Sequence, residues 1–199
     1  VKGLYAQSRI HKKDAVKNVS FRVRRGEIVA IAGIDGNGQT ELVYALTGLE
    51  KIKKGKILLL GKDISRASVR KRNISGMSHI PEDRHKHGLV LDYSLENNLV
   101  LQRYFTPKFT NKVGFLKKRV IRGYAKELIE RFDIRSGQGS VTVARTMSGG
   151  NQQKAIVARE VDCNPELLVA VQPTRGLDVG AIENIHRQVI NLRDEDKAV

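Results

Sequence analysis

The sequence predicts an α/β protein whose core is interrupted by a helical subdomain. Three observations support this prediction. Residues 27–49 combine a β-rich run, a glycine-rich loop and a run with helical periodicity. The middle of the chain, about 85–145, is basic and patterned as helices, whereas the last part returns to a strand, a polar turn and a helix. Strands and helices that alternate around one segment of different character indicate an α/β core with an insertion.

The first third of the chain is predicted to contain strands and one helix. Val19–Val23 and Glu27–Ala32 are β-rich runs, and a turn with a charged tip separates them. Residues 39–49 change to a helical period, with Gly48 close to the predicted helix end. Another short strand is predicted over Lys56–Leu60. The apolar face of the predicted helix consists of Leu42, Ala45, Leu46 and Leu49.

The rest of the chain is predicted to be mostly helical before α/β character resumes. The middle block ends in a predicted loop at residues 136–140. A helix over 150–162, a buried strand at Leu167–Val171 and a helix from about Ala181 follow. The apolar face of the middle block consists of Tyr124, Leu128, Ile129 and Phe132.

Composition restricts the possible classes of protein. The 199 residues suffice for one domain, and no apolar run approaches the roughly 18 residues that span a bilayer. Cys163 is the single cysteine, so an internal disulfide is excluded and a cytoplasmic setting is favoured. The net charge of +15 suggests an anionic partner, but the basic residues are spread out and aromatics make up 5%. A solvated surface is therefore favoured over a nucleic-acid groove.

A phosphate-binding loop is the first motif. The sequence G-x-x-x-x-G-K-[ST] is matched at every fixed position except the lysine, where Gln39 stands. Glycines let backbone N–H groups approach phosphate closely, and the following helix adds its positive end. Thr40 could place its hydroxyl on Mg²⁺. A glycine-rich turn without a ligand is the alternative. The predicted nucleotide-binding residues are Gly33, Ile34, Asp35, Gly36, Asn37, Gly38, Gln39 and Thr40.

A second motif, Met147–Lys154, opens the predicted helix at 150. A serine followed by two glycines at the start of a helix forms another N-terminus that can bind an anion. Ser148 would serve there as an oxygen donor or as the helix cap. A capped helix without a ligand is the alternative.

This second motif resembles the signature sequence of ATP-binding-cassette (ABC) transporters, in the Ser-Gly-Gly-Asn-Gln-Gln-Lys form of sugar and nucleoside importers. Pro173–Ala181 resembles the segment after the magnesium-binding strand of the same group. Pro81–Arg84 resembles the second, C-terminal cassette of its two-cassette subunits, and the ending Ala170–Ala181 resembles the nucleoside branch. The resemblance implies a P-loop NTPase core, an ABC cassette, with an inserted helical subdomain.

The resemblance also implies domain boundaries. The nucleotide-binding core would comprise residues 1–84 and 156–199, and the helical signature subdomain would comprise residues 85–155. Because the family continues with another core strand after Val199, we expect the chain to be a fragment of a longer protein.

The resemblance implies partners for several residues. In the family, two cassettes meet head to tail, so the signature would complete the ATP site of a second cassette, the N-terminal half of the same polypeptide. At the cytoplasmic face of the cell membrane, the cassette would act directly on membrane permease subunits. An extracellular solute-binding protein would be an indirect partner. Asp178 matches the D-loop aspartate, and Glu82 stands where the Q-loop glutamine is usual. The signature residues are Ser148, Gly149, Gly150, Asn151 and Gln152.

The departures from the family pattern predict a degenerate site. Val171 and Gln172 replace the Asp-Glu pair that holds Mg²⁺ and polarises the attacking water. Gln172, at the catalytic position, cannot act as a general base. Gln39 cannot neutralise phosphate charge, and Ile10 replaces the aromatic residue that stacks on adenine. We therefore expect ATP and Mg²⁺ to bind weakly at this site and its own turnover to be negligible. The resemblance implies that the chain is nevertheless part of an ABC-type ATPase, which couples ATP binding and hydrolysis to solute uptake.

Two alternatives remain open at this point. A nucleic-acid-associated ABC protein would bind polynucleotides with a steep salt dependence, whereas a transporter subunit would be recruited by its permease. A scaffold cassette would bind no nucleotide at all.

Overall fold

The computed structural model describes residues 1–8, 12–34 and 36–199 and divides them into two compact units. The first unit comprises Val1–Ser78, Glu166–Val169 and Leu192–Val199. The second comprises His79–Pro165 and Ala170–Asn191. Each unit has its own set of buried apolar side chains.

The first unit contains an antiparallel sheet in the order β2-β1-β3. Leu4 of β1 lies opposite Val19 of β2. The strands β4 and β5 form a separate hairpin, and its turn residues Leu60 and Gly61 have φ values of 49° and 80°. Two left-handed residues suit the two-residue turn whose twist matches that of the flanking strands. The strands are β1 (Lys2–Gln7), β2 (Asp14–Val19), β3 (Lys54–Lys56), β4 (Leu58–Leu59) and β5 (Lys62–Asp63).

Helix α1 (Gln39–Thr47) packs on β1 and β2 and contributes to the core of the first unit. Leu42 and Ala45 are buried there, as the predicted apolar face requires. Helix α2 (Val69–Ile74) begins at Ser68, whose side chain accepts a hydrogen bond from the Lys71 N–H. The buried cluster consists of Leu4, Ala6, Val16, Leu42, Ala45, Ile57, Leu59, Ile64 and Met77.

A buried arginine terminates α1. Arg72 is 2% exposed and donates hydrogen bonds to the carbonyls of Leu46 (2.7 Å), Ala67 (3.1 Å) and Ser65 (3.1 Å). A cation is favourable at this end of a helix, where carbonyls lack partners. Gly48 has a φ of 82°, and a Cβ there would lie 2.6 Å from Arg72 Nε. A glycine at position 48 therefore permits both the left-handed backbone at the helix end and the close approach of Arg72.

The second unit is built on three helices that contact one another: α3 (Leu95–Val100), α4 (Lys118–Arg131) and α5 (Gly149–Asp162). Helix α6 follows at Val179–Asp194. The strands β6 (Met77–Ile80) and β7 (Leu167–Ala170) pair with each other, and each begins in the first unit and ends in the second. Within the described part of the chain, every helix is too short or too polar to cross a bilayer. Buried side chains of the three helices include Leu95, Leu99, Ile121, Tyr124, Ala125, Leu128, Ala155, Ile156 and Val157.

Several predicted elements are confirmed. The helices predicted at 39–49 and 150–162 are α1 and α5, and the strand predicted at Leu167–Val171 is β7. The helix expected from Ala181 begins two residues earlier, at Val179. These elements have strong local signals: apolar periodicity, a serine cap or a short apolar run between polar turns.

Two predicted strands are wrong. The strand expected at Val19–Val23 lies earlier, as β2, and the run Glu27–Ala32 is not a strand. Among the described residues, the backbone of 27–32 pairs only with Val199, through two hydrogen bonds of 2.9 Å to Glu27 and Val29. A strand is defined by successive backbone partners, which a local sequence pattern cannot supply.

Two other segments also differ from their predictions. The middle of the chain is less helical than expected, because residues 109–117 form a tight hairpin between α3 and α4. Gly114 in its tip has a φ of 96°, a conformation that favours glycine and excludes helix. The strand predicted over Lys56–Leu60 is divided between the end of β3 and β4.

Candidate functional site

The glycine-rich loop precedes α1 as predicted. Gly36 and Gly38 have φ values of 85° and 95°, and Gly38 is the N-cap residue, without a side chain to occupy the helix end. A Cβ on Gly38 would lie 2.6 Å from the Ala15 carbonyl oxygen of β2. The Asn37 N–H donates to the Ile34 carbonyl at 3.3 Å. The loop therefore leaves N–H groups at the start of α1 without a capping side chain, which is the chemistry of an anion site.

Gln39 turns back onto this loop. Its Nε2 donates to the Ile34 carbonyl at 3.1 Å, and a Cβ on Gly33 would lie 2.1 Å from the same nitrogen. Thr40, the predicted Mg²⁺ ligand, is half-buried in the first turn of α1. Two residues predicted for the site, Asp35 and the adenine-facing Ile10, lie outside the described residues.

The strand end predicted to carry the catalytic position lies just beyond β7. The Val171 N–H donates to the Ile80 carbonyl at 2.9 Å, and Gln172 follows with a φ of 43°. The exposed Gln172 side chain accepts a hydrogen bond from Arg175 at 3.3 Å. Arg175 also lies 3.7 Å from a carboxylate oxygen of Glu82. These contacts hold Gln172 and Glu82 to one arginine within the second unit.

The donor set does not fit a tightly held magnesium ion. Mg²⁺ is usually held by one or two carboxylates together with phosphate oxygens. This strand end offers the alkyl group of Val171 and the amide of Gln172 instead. In the described part of the chain, no group of three or more His, Cys, Asp and Glu side chains could hold a metal.

The signature forms the N-terminus of α5, as predicted. Ser148 is the N-cap residue, and its Oγ accepts hydrogen bonds from the Asn151 backbone N–H (3.4 Å) and from Asn151 Nδ2 (2.9 Å). Asn151 Oδ1 in turn accepts from the Arg135 N–H at 2.8 Å. A Cβ on Gly149 would lie 2.8 Å from Arg84 Nη2, so the Arg84 guanidinium lies beside the start of the helix.

Gln152 differs from its neighbours in the signature. It is 4% exposed, its Nε2 donates to the Ala144 carbonyl at 2.9 Å, and its Oε1 lies 2.9 Å from His85 Nε2. Both ends of the amide are therefore used inside the second unit. The other signature residues lie at the surface or are half-buried.

An open cavity of about 540 Å³ brings the signature and the D-loop aspartate together. Asp178 Oδ1 accepts from the Ala181 N–H at 2.9 Å and so caps the start of α6. Lys154 donates to Asp133 at 2.8 Å, and this hydrogen bond lowers the pKa of the Asp133 carboxyl. The lining residues are Asp133, Arg135, Ser148, Gly150, Asn151, Lys154, Asp178, Gly180, Ala181 and Asn184.

Basic groups near the signature were missed by the sequence reasoning. Lys154 and Arg135 line the cavity, and Arg84 lies beside Gly149. Lys154 and Arg84 both stand within motifs that the sequence displays, Ser148–Lys154 and Pro81–Arg84. No local signal connects residue 84 with residue 149.

Comparison with known families gives one match over most of the chain. Residues 16–175 match the family described as ABC transporter. Among solved structures, the dimeric MJ0796, a bacterial ABC transporter cassette, superposes with a TM-score of 0.79 at 22% identity, over 98% of this chain and 82% of that one. The MJ0796 dimer in a post-hydrolysis state with ADP and phosphate gives the same TM-score at 21% identity. These likenesses show the ABC ATPase cassette fold.

Curated relatives are similar over nearly the whole chain. The nucleoside import ATP-binding protein NupA of Lactococcus lactis is 55% identical over 92% of this chain and 36% of its own length. The guanosine import ATP-binding protein NupO of Bacillus subtilis is 52% identical, over 94% and 36%. The ribose import ATP-binding protein RbsA of Bacillus licheniformis is 37% identical, over 94% and 37%. The chain thus spans little more than a third of the length of these relatives.

Proposed function

Because the chain belongs to the ABC transporter family, we propose that it is one nucleotide-binding domain of an importer ATPase subunit for nucleosides or simple sugars. The relatives NupA and NupO, at 55% and 52% identity, favour nucleosides over sugars. The subunit would couple ATP binding and hydrolysis to uptake of the solute. It would work at the cytoplasmic face of the membrane with permease subunits, which receive solute from an extracellular binding protein.

In this proposal, the domain's own ATP site is degenerate. The observation that carries it is the position of Gln39, whose amide donates to the Ile34 carbonyl of its own loop at 3.1 Å. A lysine at this position would instead offer a positive charge to the phosphates. The strand end adds no carboxylate for Mg²⁺ and no general base, since Val171 and Gln172 stand there. Nucleotide would bind through backbone N–H groups, and turnover would be negligible.

The signature would serve a partner cassette. Ser148 and Gly150 line an open cavity at the N-terminus of α5, and the Arg84 guanidinium lies beside Gly149 at the same helix end. A helix N-terminus with basic neighbours suits a terminal phosphate supplied from outside. The relatives are about two and a half times as long as this chain, which leaves room in them for another cassette. This domain would then be the second, C-terminal cassette, with residues 85–155 as its signature subdomain.

Replacement of Gln39 by lysine tests the proposed phosphate loop. Gln39→Lys should tighten binding of ATP, because a charge-assisted hydrogen bond to phosphate is about twice as strong as a neutral one. Isothermal calorimetry of the wild type and the variant would measure the change. Gln138→Lys, which adds the same charge at an exposed position of the second unit, is the control.

An unchanged dissociation constant in Gln39→Lys would show that the loop is not a phosphate cradle. If neither protein binds ATP, the scaffold alternative replaces the proposed nucleotide-binding role. If Gln138→Lys tightens binding equally, the gain comes from net charge rather than from the loop.

A further inference from the structure

The hairpin at residues 109–117 holds its tip in a fixed conformation. The Asn111 N–H donates to the Phe115 carbonyl at 2.9 Å, and the Lys117 N–H donates to the Phe109 carbonyl at 2.8 Å. The side-chain oxygen of Asn111 accepts from the N–H groups of Val113 (3.0 Å) and Phe115 (2.9 Å). The five residues from Asn111 to Phe115 are thereby closed into a compact turn.

Apolar side chains at this tip face solvent. Phe109 at the root is fully buried, with its ring centroid 5.0 Å from that of Tyr124. At the tip, Val113 is 79% exposed and Phe115 is 70% exposed. Neighbouring exposed apolar side chains of this kind mark interaction surfaces.

A basic surface adjoins the tip. Between Asn97 and Lys126 the sequence contains eight basic residues and no acidic one. Lys118, Arg119, Arg122 and Lys126 line an open groove of about 330 Å³ along α4. Arg122 pairs with Glu96 at 3.1 Å. Lys118 and Arg119 occupy the first turn of α4, where the helix dipole disfavours positive charge. Helix stability therefore does not explain these residues.

We propose that the hairpin tip and the basic side of α4 dock on an anionic lipid surface. Phe115 and Val113 enter the headgroup region, and the side chains of Lys118, Arg119 and Lys126 pair with lipid phosphates. Stable attachment to a bilayer commonly needs two signals, an apolar insertion and a basic patch, and this segment supplies both. Polynucleotide binding would use the basic side chains alone and give the exposed apolar tip no role. The inference goes beyond the proposed transport function and does not depend on it.

Sedimentation with liposomes tests this proposal. The protein should bind vesicles of phosphatidylcholine mixed with phosphatidylglycerol and not vesicles of phosphatidylcholine alone, with binding that weakens as salt rises. Phe115→Ser should weaken binding about tenfold, because it removes the burial of one aromatic side chain. The pair Lys112→Glu and Lys118→Glu should weaken it at least as much.

Matched variants elsewhere serve as controls. Ile74→Ser removes an apolar side chain that is 66% exposed on α2, and the pair Lys51→Glu and Lys62→Glu makes the same charge change in the first unit. Both should bind lipid like the wild type. Circular dichroism should show all variants folded, since the substituted side chains are exposed.

Three results would overturn the proposal. The first is no binding of the wild type to the anionic vesicles. The second is equal loss in the control and hairpin variants, which would make the effect one of net charge or general apolarity. The third is tighter binding to duplex DNA than to vesicles, with Phe115→Ser leaving the DNA affinity unchanged, which would assign the surface to polynucleotide.

Discussion

At the residue scale, the hydrogen-bonding of Ser148 determines what the signature can offer a phosphate. A hydroxyl can accept two hydrogen bonds and donate one. Ser148 Oγ accepts from both the backbone and the side chain of Asn151, at 3.4 and 2.9 Å. Its own proton is therefore directed to an acceptor elsewhere. We infer that Asn151 is a positioning residue, which makes Ser148 a donor toward a phosphate oxygen.

Replacement of Asn151 by aspartate tests this inference. In Asn151→Asp, the carboxylate would accept the Ser148 proton and repel phosphate. Steady-state ATP hydrolysis by the assembled two-cassette protein should fall about tenfold or more, the cost of one charge-related hydrogen bond. Combined with Ser148→Ala, it should cost less than it does alone, because both changes remove the same donor and only the repulsion adds.

Asn184→Asp is the matched control, since Asn184 lines the same cavity and the charge change is identical. An equal loss of hydrolysis in Asn184→Asp would mean that charge in the cavity, rather than the orientation of Ser148, explains the effect.

The sequence predicts some residue roles better than others. The Ser148 cap is predictable because a serine three residues before Asn151 forms a local hydrogen bond at a helix start. Burial of Gln152 is not, because its amide meets His85, 67 residues away. For the same reason, the sequence does not predict that Arg84 lies beside Gly149, because the two residues meet only in the folded chain.

At the element scale, β6 holds a histidine that burial keeps neutral. Burial first, and then the nearby positive charges of His87 and Arg159, lower the pKa of the His79 imidazole to about 4. The His79 backbone N–H donates to the Glu160 carboxylate at 3.1 Å. Its buried Nε2 atom has no hydrogen-bond partner among the described residues. Protonation of this ring is therefore easier in the unfolded chain than in the folded one.

The free energy of unfolding should fall as the pH falls from about 6.5 to about 4. The pKa of His79 is about 4 when folded and near 6.5 when unfolded. The contribution of the neutral ring is therefore complete above about pH 6.5 and is lost by about pH 4, with a maximum of about 3 kcal/mol. Urea unfolding at about pH 7 and about pH 5 measures the difference.

His79→Gln should reduce this pH dependence, and His186→Gln, which changes an exposed histidine, should leave it intact. A pH dependence that His79→Gln leaves unchanged would assign the effect to other groups.

The elements that the sequence predicts correctly are those with local signals. Helices α1 and α5 follow from apolar periodicity and from glycine and serine at their ends. The wrong strand at Glu27–Ala32 depends on distant backbone partners, and in the described residues Val199 is the only one. The hairpin at 109–117 depends on the Asn111 side chain, which no helical pattern reveals.

At the scale of the whole molecule, the proposed function gives one chain two unequal ATP-related surfaces. The loop before α1 lies in the first unit, and the amide of Gln39 donates to the Ile34 carbonyl of this loop. The signature cavity lies in the second unit and combines residues from three parts of the sequence, 133–135, 148–154 and 178–184. Spacing alone predicts the motifs of this cavity but not its basic lining, because the three segments meet only in the fold.

In the proposed function, this chain contributes more to a partner's ATP site than to its own. Gly149→Asp and Gln39→Ala separate the two contributions in the assembled two-cassette transporter. A Cβ at Gly149 meets only the flexible end of Arg84, at 2.8 Å, so the fold should tolerate the change. The new carboxylate would repel an anion at the start of α5.

Steady-state ATP hydrolysis of the two variants, each compared with the wild-type transporter, is the direct measurement. Gly149→Asp should abolish most hydrolysis, while this domain's fold and its weak nucleotide binding stay nearly unchanged. Gln39→Ala should have a milder effect, because the proposed function makes the site that it serves an impaired one. Equal damage by Gln39→Ala and Gly149→Asp would contradict the proposed division of labour.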